Sequence, residues 1–498
     1  MDSTADEEKR DMLLRGSRLG DISSEVLDFI SSRDADLWIA EADVLVDMAH
    51  LLMLYERGLI QREDCARILT ALKELLAEGF DVLGEGEDIH EAIEAYVIER
   101  VGPAGGRMHT ARSRNDEVAT CIRIALREQM LGLMDELLQM IDVLVQLADE
   151  TRERIIPGYT HLQHAQPTTL AHHLLAHADA LIRDLERFED AYERVNLSPL
   201  GAAAFASTGF EIDRHMTCEL LGFSGIVENS MDAVSGRDFA LEVLADTSIL
   251  MINLSRIAEE IILWSTAEFG YVEVDDLFAS TSSIMPQKKN PDTAELVRAK
   301  SGTVIGSMVG ALSICKALPM SYNRDLQELT PHIWRGIGAA RSSLRVMKGC
   351  MSTLRFDFER LERSSTDGFT TATELADSIV RITGIPFRTA HQIVGRIARL
   401  PGKPSLEDLD RIAMEVANVR LSMMGFTAGD LERALDARTN VAMRARPGGP
   451  APAEVSRMLD ARKKYLKSAS FRLRERRARV ESAISHLMEL VDRTACSS

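Results

Sequence analysis

The sequence predicts a nearly all-α protein built around an extended bundle of long helices. From Ile122 to Ile155, apolar residues recur every three or four positions, which is the spacing of one helical face. A second segment, from about Phe239 to Trp264, contains the run ILMINL, which is apolar on every side. Such a run is typical of a helix at the centre of a bundle or an oligomer. Clean two-residue alternation, which would indicate half-buried strands, is hard to find in the chain.

Clusters of turn residues divide the chain into regions. Gly102 to Asp116 separates an N-terminal helical region from the long helices, and Arg444 to Val455 interrupts the last part of the chain. Ser198 to Phe210 is a connector of small residues inside the middle region. We therefore predict three helical domains with boundaries near residues 108 and 363, namely residues 1–108, 109–362 and 363–498.

Composition and charge limit the classes of function. Of the 498 residues, 45% are hydrophobic and 27% are charged, as in a globular protein. The 58 Lys and Arg against 77 Asp and Glu give a formal net charge of -19. This acidic balance argues against nucleic-acid binding, which requires clustered positive charge. An anionic substrate must then be attracted by a local basic site.

Cysteine usage and hydropathy indicate the compartment. The six cysteines are scattered, and no pair has the C-x-x-C spacing of a metal or redox site. The N-terminal segment MDSTADEEKRD is charged and lacks the apolar core of a secretory signal. No uncharged apolar run is long enough to span a bilayer. We therefore expect a cytoplasmic protein with reduced cysteines and without membrane association.

The segment STSSIMPQKKNPD, from Ser280 to Asp292, is the first candidate for a functional loop. It buries little apolar surface and its ordering costs conformational entropy, so packing alone does not explain it. Asn290 and Pro291 predict a helix start, with Asn290 as the cap. Lys288 would then lie just ahead of a helix N-terminus, where free N–H groups favour an anion. The alternative is a solvated, basic surface loop.

A second segment, GYTHLQHAQPTTLAHHLLAH, contains five of the twelve histidines. His173 and His177 are four residues apart, which would allow a metal pair on one helical face. No glutamate follows His173 as in H-E-x-x-H, so we expect polar residues on a helix face and no metal. His161 lies where a glycine and a proline indicate a turn or a helix entry. There it could act as an acid or base near neutral pH.

A third segment, MHTARSRNDE, starts at Met108 and is predicted to begin a helix. Arg112 and Arg114 could bind a carboxylate bidentately. The alternative is a helix N-cap with ordinary surface charges.

Together, these segments resemble the argininosuccinate lyases of the aspartase/fumarase superfamily. SSIMPQKKNP is similar to the signature loop of the superfamily, while HTARSRND and GYTHLQHAQP are similar to the forms in argininosuccinate lyases. Further similar segments are EDIHEAIE at Glu87, NSMDAVSGRDF at Asn229, YNRDLQE at Tyr322 and PFRTAH at Pro386. The resemblance implies a fumarase/aspartase-like all-α fold of three helical domains, whose central long helices form the core of a homotetramer.

The resemblance implies a cofactor-free β-elimination of argininosuccinate to arginine and fumarate in arginine biosynthesis. A base removes a proton beside a carboxylate, an aci-carboxylate dianion forms, and the guanidino nitrogen leaves after protonation. The resemblance makes Ser282 and His161 the catalytic pair, without deciding which is the base, and makes Glu295 the carboxylate that supports His161. Lys288, Asn290 and loop N–H groups are suited to stabilising the extra negative charge.

The same resemblance implies a set of polar substrate-binding residues drawn from several segments: Ser32, Arg114, Asn115, Thr160, Asn290, Tyr322 and Gln327.

Three positions depart from the common pattern of the family. Ala111 and Thr281 replace glycines, and a β-branched threonine resists positive φ. Thr330 stands where many members have a lysine that binds a substrate carboxylate. We expect weaker substrate affinity unless Arg324 or His332 compensates.

In the family, the three segments meet from three different chains, so we expect active sites shared between subunits. The apolar helix near Ile249 agrees with burial between subunits. One alternative is another superfamily lyase that releases fumarate from adenylosuccinate or aspartate. A second is a catalytically silent, crystallin-like structural relative, although intact Ser282, His161, Lys288 and Glu295 argue against it.

Overall fold

The computed structural model describes residues 23–84 and 86–495. The charged N-terminal segment and Cys496 lie outside these residues, so the expectations made for them remain predictions. The described chain is predominantly helical, as predicted. None of its described helices is both long enough and apolar enough to cross a membrane.

The α-helices follow one another along the described chain with these bounds: α1 Ser24–Ile30, α2 Arg33–Asp36, α3 Ala40–Glu56, α4 Arg62–Glu78, α5 Ile89–Val101, α6 Arg114–Glu150, α7 Leu170–Val195, α8 Arg214–Leu220, α9 Ser230–Ser235, α10 Asp238–Trp264, α11 Asp292–Cys315, α12 Leu329–Thr353, α13 Phe358–Ser364, α14 Ala372–Thr383, α15 Phe387–Ile397, α16 Leu406–Ala417, α17 Ala428–Leu435, α18 Ala437–Met443 and α19 Pro452–Ala495. Three small antiparallel pairs of strands complete the fold: β1 Ile155–Thr160 with β2 Gln163–Thr169, β3 Val272–Glu273 with β6 Arg355–Phe356, and β4 Ser280–Thr281 with β5 Lys289–Asn290.

The long helices α6, α7, α10, α11 and α12 pack side by side as the predicted central bundle. The helix α10 has the predicted bounds. The helix α6 starts at Arg114, earlier than its apolar periodicity, because Ser113 and Asp116 form a capping box. One hydrophobic core runs from α3–α5 through the bundle to α19.

A second, separate core is formed by α14–α17, with Leu375, Ile393 and Phe426 fully or nearly fully buried in it. The final helix, α19, leaves this region and packs along α6, α4 and α3. The division of the chain at residues 108 and 363 stays a prediction.

The hairpin of β1 and β2 places His161 in a turn, as predicted, but its two strands were not predicted. Its first strand is buried at the root and exposed at the tip, so burial follows position along the strand and leaves no two-residue alternation. The predicted start of α11 is also wrong in detail. Asn290 pairs with Ser280 in the strand pair β4–β5, and the helix begins at Asp292, so Asn290 is not its cap.

A buried network of charges joins α3, α5 and the start of α6. Arg112 lies 2.5 Å from Asp47 (Nη1–Oδ1) and 2.8 Å from Glu117 (Nη2–Oε1). His90 Nδ1 lies 2.8 Å from Asp43 Oδ2. The Arg112 side chain is only 2% exposed. The expectation that Arg112 grips a substrate carboxylate is therefore wrong, because its guanidinium holds two carboxylates of its own fold.

We expect Arg112→Leu to lower the free energy of unfolding by about 3–5 kcal/mol, because it leaves buried carboxylates without their counter-charge. Urea unfolding followed by circular dichroism measures this change. The matched control is Arg107→Leu, since Arg107 pairs with Asp64 at 3.2 Å but is 55% exposed. That exposed pair is expected to contribute at most about 1 kcal/mol. Equal losses in the two variants would contradict a structural role for the buried network.

Candidate active site

A cavity of about 310 Å³ between the N-terminal helices and the bundle collects most of the predicted substrate-binding residues. The predicted residues that line it are Ser32, Arg114, Asn115, Tyr322 and Gln327. They come from three separate segments of one chain, and the fold brings them to one place.

Hydrogen bonds within the protein hold these segments and their side chains in place. Gln327 Nε2 donates to the carbonyl of Ile30 at 2.8 Å, which ties the entry of α12 to the segment before α2. Ser32 Oγ donates to Asp36 Oδ2 at 2.6 Å. Asn115 Nδ2 donates to the carbonyl of Ala204 at 3.0 Å, so the small-residue connector lies against the start of α6. The positions of these side chains are therefore set before any ligand arrives.

Two arginines of the cavity are already paired with carboxylates of the protein. Arg114 Nη1 lies 2.9 Å from Asp88 Oδ2. Arg324 forms an ion pair with Glu87 and donates to the carbonyl of Ile30 at 2.8 Å. A substrate carboxylate would have to share these arginines with the protein.

His90 is a cation of the cavity that sequence reasoning did not single out. Burial opposes its charge, but the charge and hydrogen bond of Asp43 outweigh burial and raise the pKa of His90 to about 10. The imidazole is therefore protonated at neutral pH. Its Nε2 is buried and has no hydrogen-bond partner in the described part of the chain. The segment EDIHEAIE, which contains His90, was the available signal.

Arg237 is the second cation that was missed, although it lies in the segment NSMDAVSGRDF. It is 4% exposed, lines the cavity and donates to the carbonyls of Val234 and Gly236 at 3.2 and 3.0 Å. Its Nε has no hydrogen-bond partner, and no ion pair to it occurs among residues 23–84 and 86–495. Burial lowers the pKa of Arg237. A buried guanidinium without a carboxylate creates a strong preference for an anion at this wall.

The three departures from the family pattern have different outcomes. Ala111 has φ +62°, so it adopts the left-handed conformation that favours glycine. Thr281 lies in β4 and is not among the residues with positive φ, so the expected conflict does not arise. Thr330 is buried and lines the cavity. Of the two residues expected to compensate for it, Arg324 lines the cavity, whereas His332 packs against Gly310.

The tip of the β1–β2 hairpin holds Thr160 and His161. Thr160 pairs with Gln163, so His161 and Leu162 form a two-residue loop, with φ +56° and +55°. Positive φ at both positions is typical of a type I′ turn, which normally uses Asn-Gly. A left-handed conformation costs a non-glycine residue roughly 1–2 kcal/mol. Backbone strain of this kind clusters at functional sites, and here it falls on the predicted catalytic histidine.

An aromatic anchor fixes the hairpin close to its tip. The hydroxyl of Tyr159 lies 2.5 Å from the hydroxyl of Tyr271 and 3.0 Å from His164 Nε2. His164 Nδ1 also lies 3.3 Å from the carbonyl of Asp367. The tip itself is exposed, so the hairpin presents His161 at the surface of the chain.

The predicted catalytic loop is closed by the β4–β5 pair, which brings its two ends together. Ser282 Oγ accepts hydrogen bonds from the backbone N–H groups of Met285 at 3.0 Å and Ile284 at 3.3 Å. These two donors face the oxygen that would carry negative charge if Ser282 were deprotonated.

The two lysines of the loop differ. Lys289 is bound to Glu273 at 3.1 Å and Asp276 at 2.6 Å. Lys288 is exposed and makes no ion pair with a described residue. Glu295 is exposed in the first turn of α11. The structure thus leaves Lys288 and Glu295 available to a partner, while Lys289 is held in place.

One chain does not assemble the complete set of predicted residues. Thr160, His161, Ser282, Lys288, Asn290 and Glu295 are absent from the lining of the 310 Å³ cavity. Within the described ranges, no hydrogen bond or ion pair joins His161 to Ser282, Lys288 or Glu295. The chain presents three surfaces: the cavity, the hairpin tip and the loop.

Comparison with known proteins identifies the family. A family profile described as "Lyase" matches residues 28–306, and one described as "Argininosuccinate lyase C-terminal" matches residues 369–442. The chain is 90% identical over 487 residues to an argininosuccinate lyase of Methanothrix thermoacetophila, covering 98% of this chain and 100% of that protein. It is 48% identical over 454 residues to an argininosuccinate lyase of Methanocaldococcus jannaschii, covering 90% of this chain and 93% of that protein.

Solved structures agree with these sequence relatives. An EDDS lyase in complex with formate superposes with a TM-score of 0.84 at 31% identity, covering 92% of each chain. A class II fumarase of Schistosoma mansoni superposes with a TM-score of 0.67 at 16% identity, covering 80% of this chain and 91% of that one, which shows the shared fold alone. From its sequence relatives and its fold, this chain belongs to the argininosuccinate lyase family of the aspartase/fumarase superfamily.

Proposed function

We propose that this protein is an argininosuccinate lyase, which reversibly cleaves argininosuccinate to L-arginine and fumarate in arginine biosynthesis. The observation that carries the proposal is the cavity, which gathers five predicted binding residues around buried cations, in a chain 90% identical to a protein of that name. A substrate rich in carboxylates supplies the anion that Arg237 lacks and an acceptor for the unpartnered Nε2 of His90. A structural neighbour, an EDDS lyase variant, has been solved with bound fumarate, which supports a fumarate-releasing elimination on this fold.

In the proposed reaction, Ser282 and His161 exchange protons with the substrate. One removes the proton beside the carboxylate, and the other protonates the departing guanidino nitrogen. The N–H groups of Ile284 and Met285 support an oxyanion at Ser282. Lys288 and Asn290 stabilise the dianionic intermediate, and Glu295 orients and supports His161.

We propose that Arg237 and His90 supply the cationic charge that Thr330 does not. Both side chains are buried in the cavity wall, and each has a nitrogen without a hydrogen-bond partner among the described residues. Arg114, Asn115, Ser32, Tyr322 and Gln327 contribute the remaining polar contacts to the substrate, and Thr160 contributes one from the hairpin tip. Burial raises the pKa of Tyr322, which keeps its hydroxyl neutral and able to donate.

We propose that the active protein is a homotetramer with sites shared between subunits. The hairpin tip and the loop are exposed, and their predicted catalytic residues do not line the cavity that they would complete. The bundle also exposes apolar side chains along α10 and α11, which a monomer would leave in water. These side chains are Ile249, Ile252, Leu296, Ile305, Val309 and Leu312.

We propose a cytoplasmic location, because Cys65, Cys121, Cys218, Cys315 and Cys350 are free thiols. Reduced cysteines are typical of cytosolic proteins.

The proposed activity predicts release of fumarate and arginine from argininosuccinate without added cofactor. Fumarate is followed by its absorbance and arginine by chromatography. Adenylosuccinate and EDDS serve as comparison substrates, and slower or absent turnover of both is expected. Activity on adenylosuccinate with none on argininosuccinate would refute the assignment, and so would loss of activity in a chelator, at a temperature at which the metal-free protein stays folded, that a divalent metal restores.

The shared-site proposal predicts that two inactive variants restore each other. Ser282→Ala and His161→Asn are each expected to lower kcat by roughly 10²–10⁴-fold, as for loss of a positioned acid or base. When the two proteins are denatured, mixed in equal amounts and refolded, roughly a quarter of the sites should receive both intact residues in a closed symmetric oligomer. The measurement is the specific activity of the mixture against that of refolded unmodified protein.

Each variant refolded alone provides the control for this mixing experiment. A site built within one chain could not recover, because every chain carries one lesion. A mixture no more active than its parents would therefore exclude shared sites, provided the unmodified protein refolds under the same conditions.

The proposed anion-binding role of Arg237 predicts separate effects on activity and stability. Arg237→Gln removes charged hydrogen bonds worth about 1.5–3 kcal/mol, so kcat/KM should fall about 10- to 100-fold. Because the variant also removes a buried unpaired charge, its thermal unfolding midpoint should stay level or rise. Arg335→Gln, at an exposed position on α12 outside the cavity, is the control and should change neither quantity. A lower unfolding midpoint with unchanged kcat/KM would indicate a purely structural arginine.

A further inference from the structure

Three side chains of the kinds that bind metal ions form a cluster between α7 and α10, outside the cavity. His173 Nε2 lies 2.6 Å and His177 Nε2 lies 2.8 Å from the same oxygen, Oε2 of Glu260. The three atoms all lie within 4.8 Å of one another. None of these residues lines the cavity, and none belongs to the proposed catalytic set.

The helices themselves create this convergence. His173 and His177 are four residues apart on α7 and therefore share one face. The helix α7 packs against α10, which carries Glu260. The ring of Trp264 lies 5.1 Å from the ring of His173, and the two imidazoles meet edge to face at 5.2 Å. These ring contacts favour the side-chain orientations in which both Nε2 atoms point at Oε2 of Glu260. The sequence indicated only the pair of His173 and His177, because Glu260 lies more than eighty residues further along the chain.

The cluster combines one carboxylate with two imidazole nitrogens. The side chains are 27%, 12% and 34% exposed for His173, His177 and Glu260, so water reaches one side of the cluster.

Two imidazoles and one carboxylate form the ligand set of many zinc sites, with water in the remaining position. Imidazole nitrogen suits zinc and related transition metals, whereas magnesium and calcium prefer all-oxygen sites. We propose that His173, His177 and Glu260 bind one divalent transition-metal ion of the zinc type, which ties α7 to α10. The ion replaces the hydrogen bonds that Glu260 accepts from the two rings. Each neutral ring then carries its proton on Nδ1 and offers the lone pair of Nε2 to the ion, and small rotations of the side chains open the space for it. The role is structural and separate from the elimination reaction.

The test uses the full-length protein, freed of metal with a chelator and then titrated with Zn²⁺ alone in a calorimeter. We expect saturable binding of one ion per chain and a rise in the thermal unfolding midpoint, because a ligand that binds only the folded state stabilises it. Co²⁺ should bind at the same stoichiometry and give the absorption bands of a low-symmetry, four- or five-coordinate ion. Mg²⁺ should produce neither effect. Absence of saturable Zn²⁺ binding would overturn the proposal and leave a hydrogen-bonded cluster in its place.

Variants locate the ion. His177→Gln and Glu260→Gln keep polar side chains between the helices but remove a ligand, so each should abolish saturable binding and the Zn²⁺-dependent rise in unfolding midpoint. The matched control is His391→Gln on α15, an exposed histidine outside the cluster, which should bind Zn²⁺ as the unmodified protein does. Full binding by both cluster variants would overturn the proposal.

A measurement on the unmodified protein covers the case in which a variant fails to fold. X-ray absorption at the zinc edge should show two imidazole nitrogens and carboxylate oxygen around the ion. Sulfur in the coordination sphere would assign the ion to cysteine and refute this site. Since the readouts are binding, unfolding and ligand type, they stand whatever the substrate of the enzyme proves to be.

Discussion

The arrangement of the cavity depends on one buried interaction, the pairing of the Arg112 guanidinium with Asp47 and Glu117. Arg112 sits in the turn just before α6, and its two partners lie on α3 and on α6 itself. The pairing therefore fixes where the long bundle helix begins relative to the N-terminal helices. Arg114 and Asn115 follow within three residues, so their positions in the cavity wall depend on this turn. The left-handed backbone of Ala111 belongs to the same turn.

The network also connects to the charge of the cavity. His90 is held by Asp43 and lines the cavity, and its other nitrogen has no hydrogen-bond partner in the described chain. The buried carboxylates thus serve two purposes: they neutralise Arg112, and they keep a histidine protonated at the cavity wall. Arg237 differs, because it has no carboxylate in the described chain. Among the cations of the cavity, His90, Arg114 and Arg324 are paired with carboxylates of the fold, whereas Arg237 is not paired with a described residue.

Sequence patterns predicted the central helices well, because helical periodicity depends on neighbours three or four residues apart, as in α6 and α10. The β1–β2 hairpin was missed, since its burial changes along the strand and its turn uses His161 and Leu162 where Asn-Gly is usual. Asn290 was misplaced because a pairing with Ser280, ten residues away, overrides a local capping preference. Motif resemblance named five residues that the structure places around one cavity, and their role in binding stays a prediction. His90, Arg237 and Glu260 were missed because their importance depends on partners that only tertiary structure brings close.

The left-handed pair at the hairpin tip has a consequence for how chains come together. Its backbone conformation is imposed by the paired strands and by the Tyr159–Tyr271 contact, so the tip is already ordered in the separate chain. A flexible loop carrying His161 would lose conformational entropy when two chains associate, and this loss would make the free energy of association less favourable. Here the conformational entropy of the tip is already lost when each chain folds. In the proposed homotetramer, the tip would therefore enter a neighbouring subunit already folded, and the subunit contact would need to supply only surface and charge.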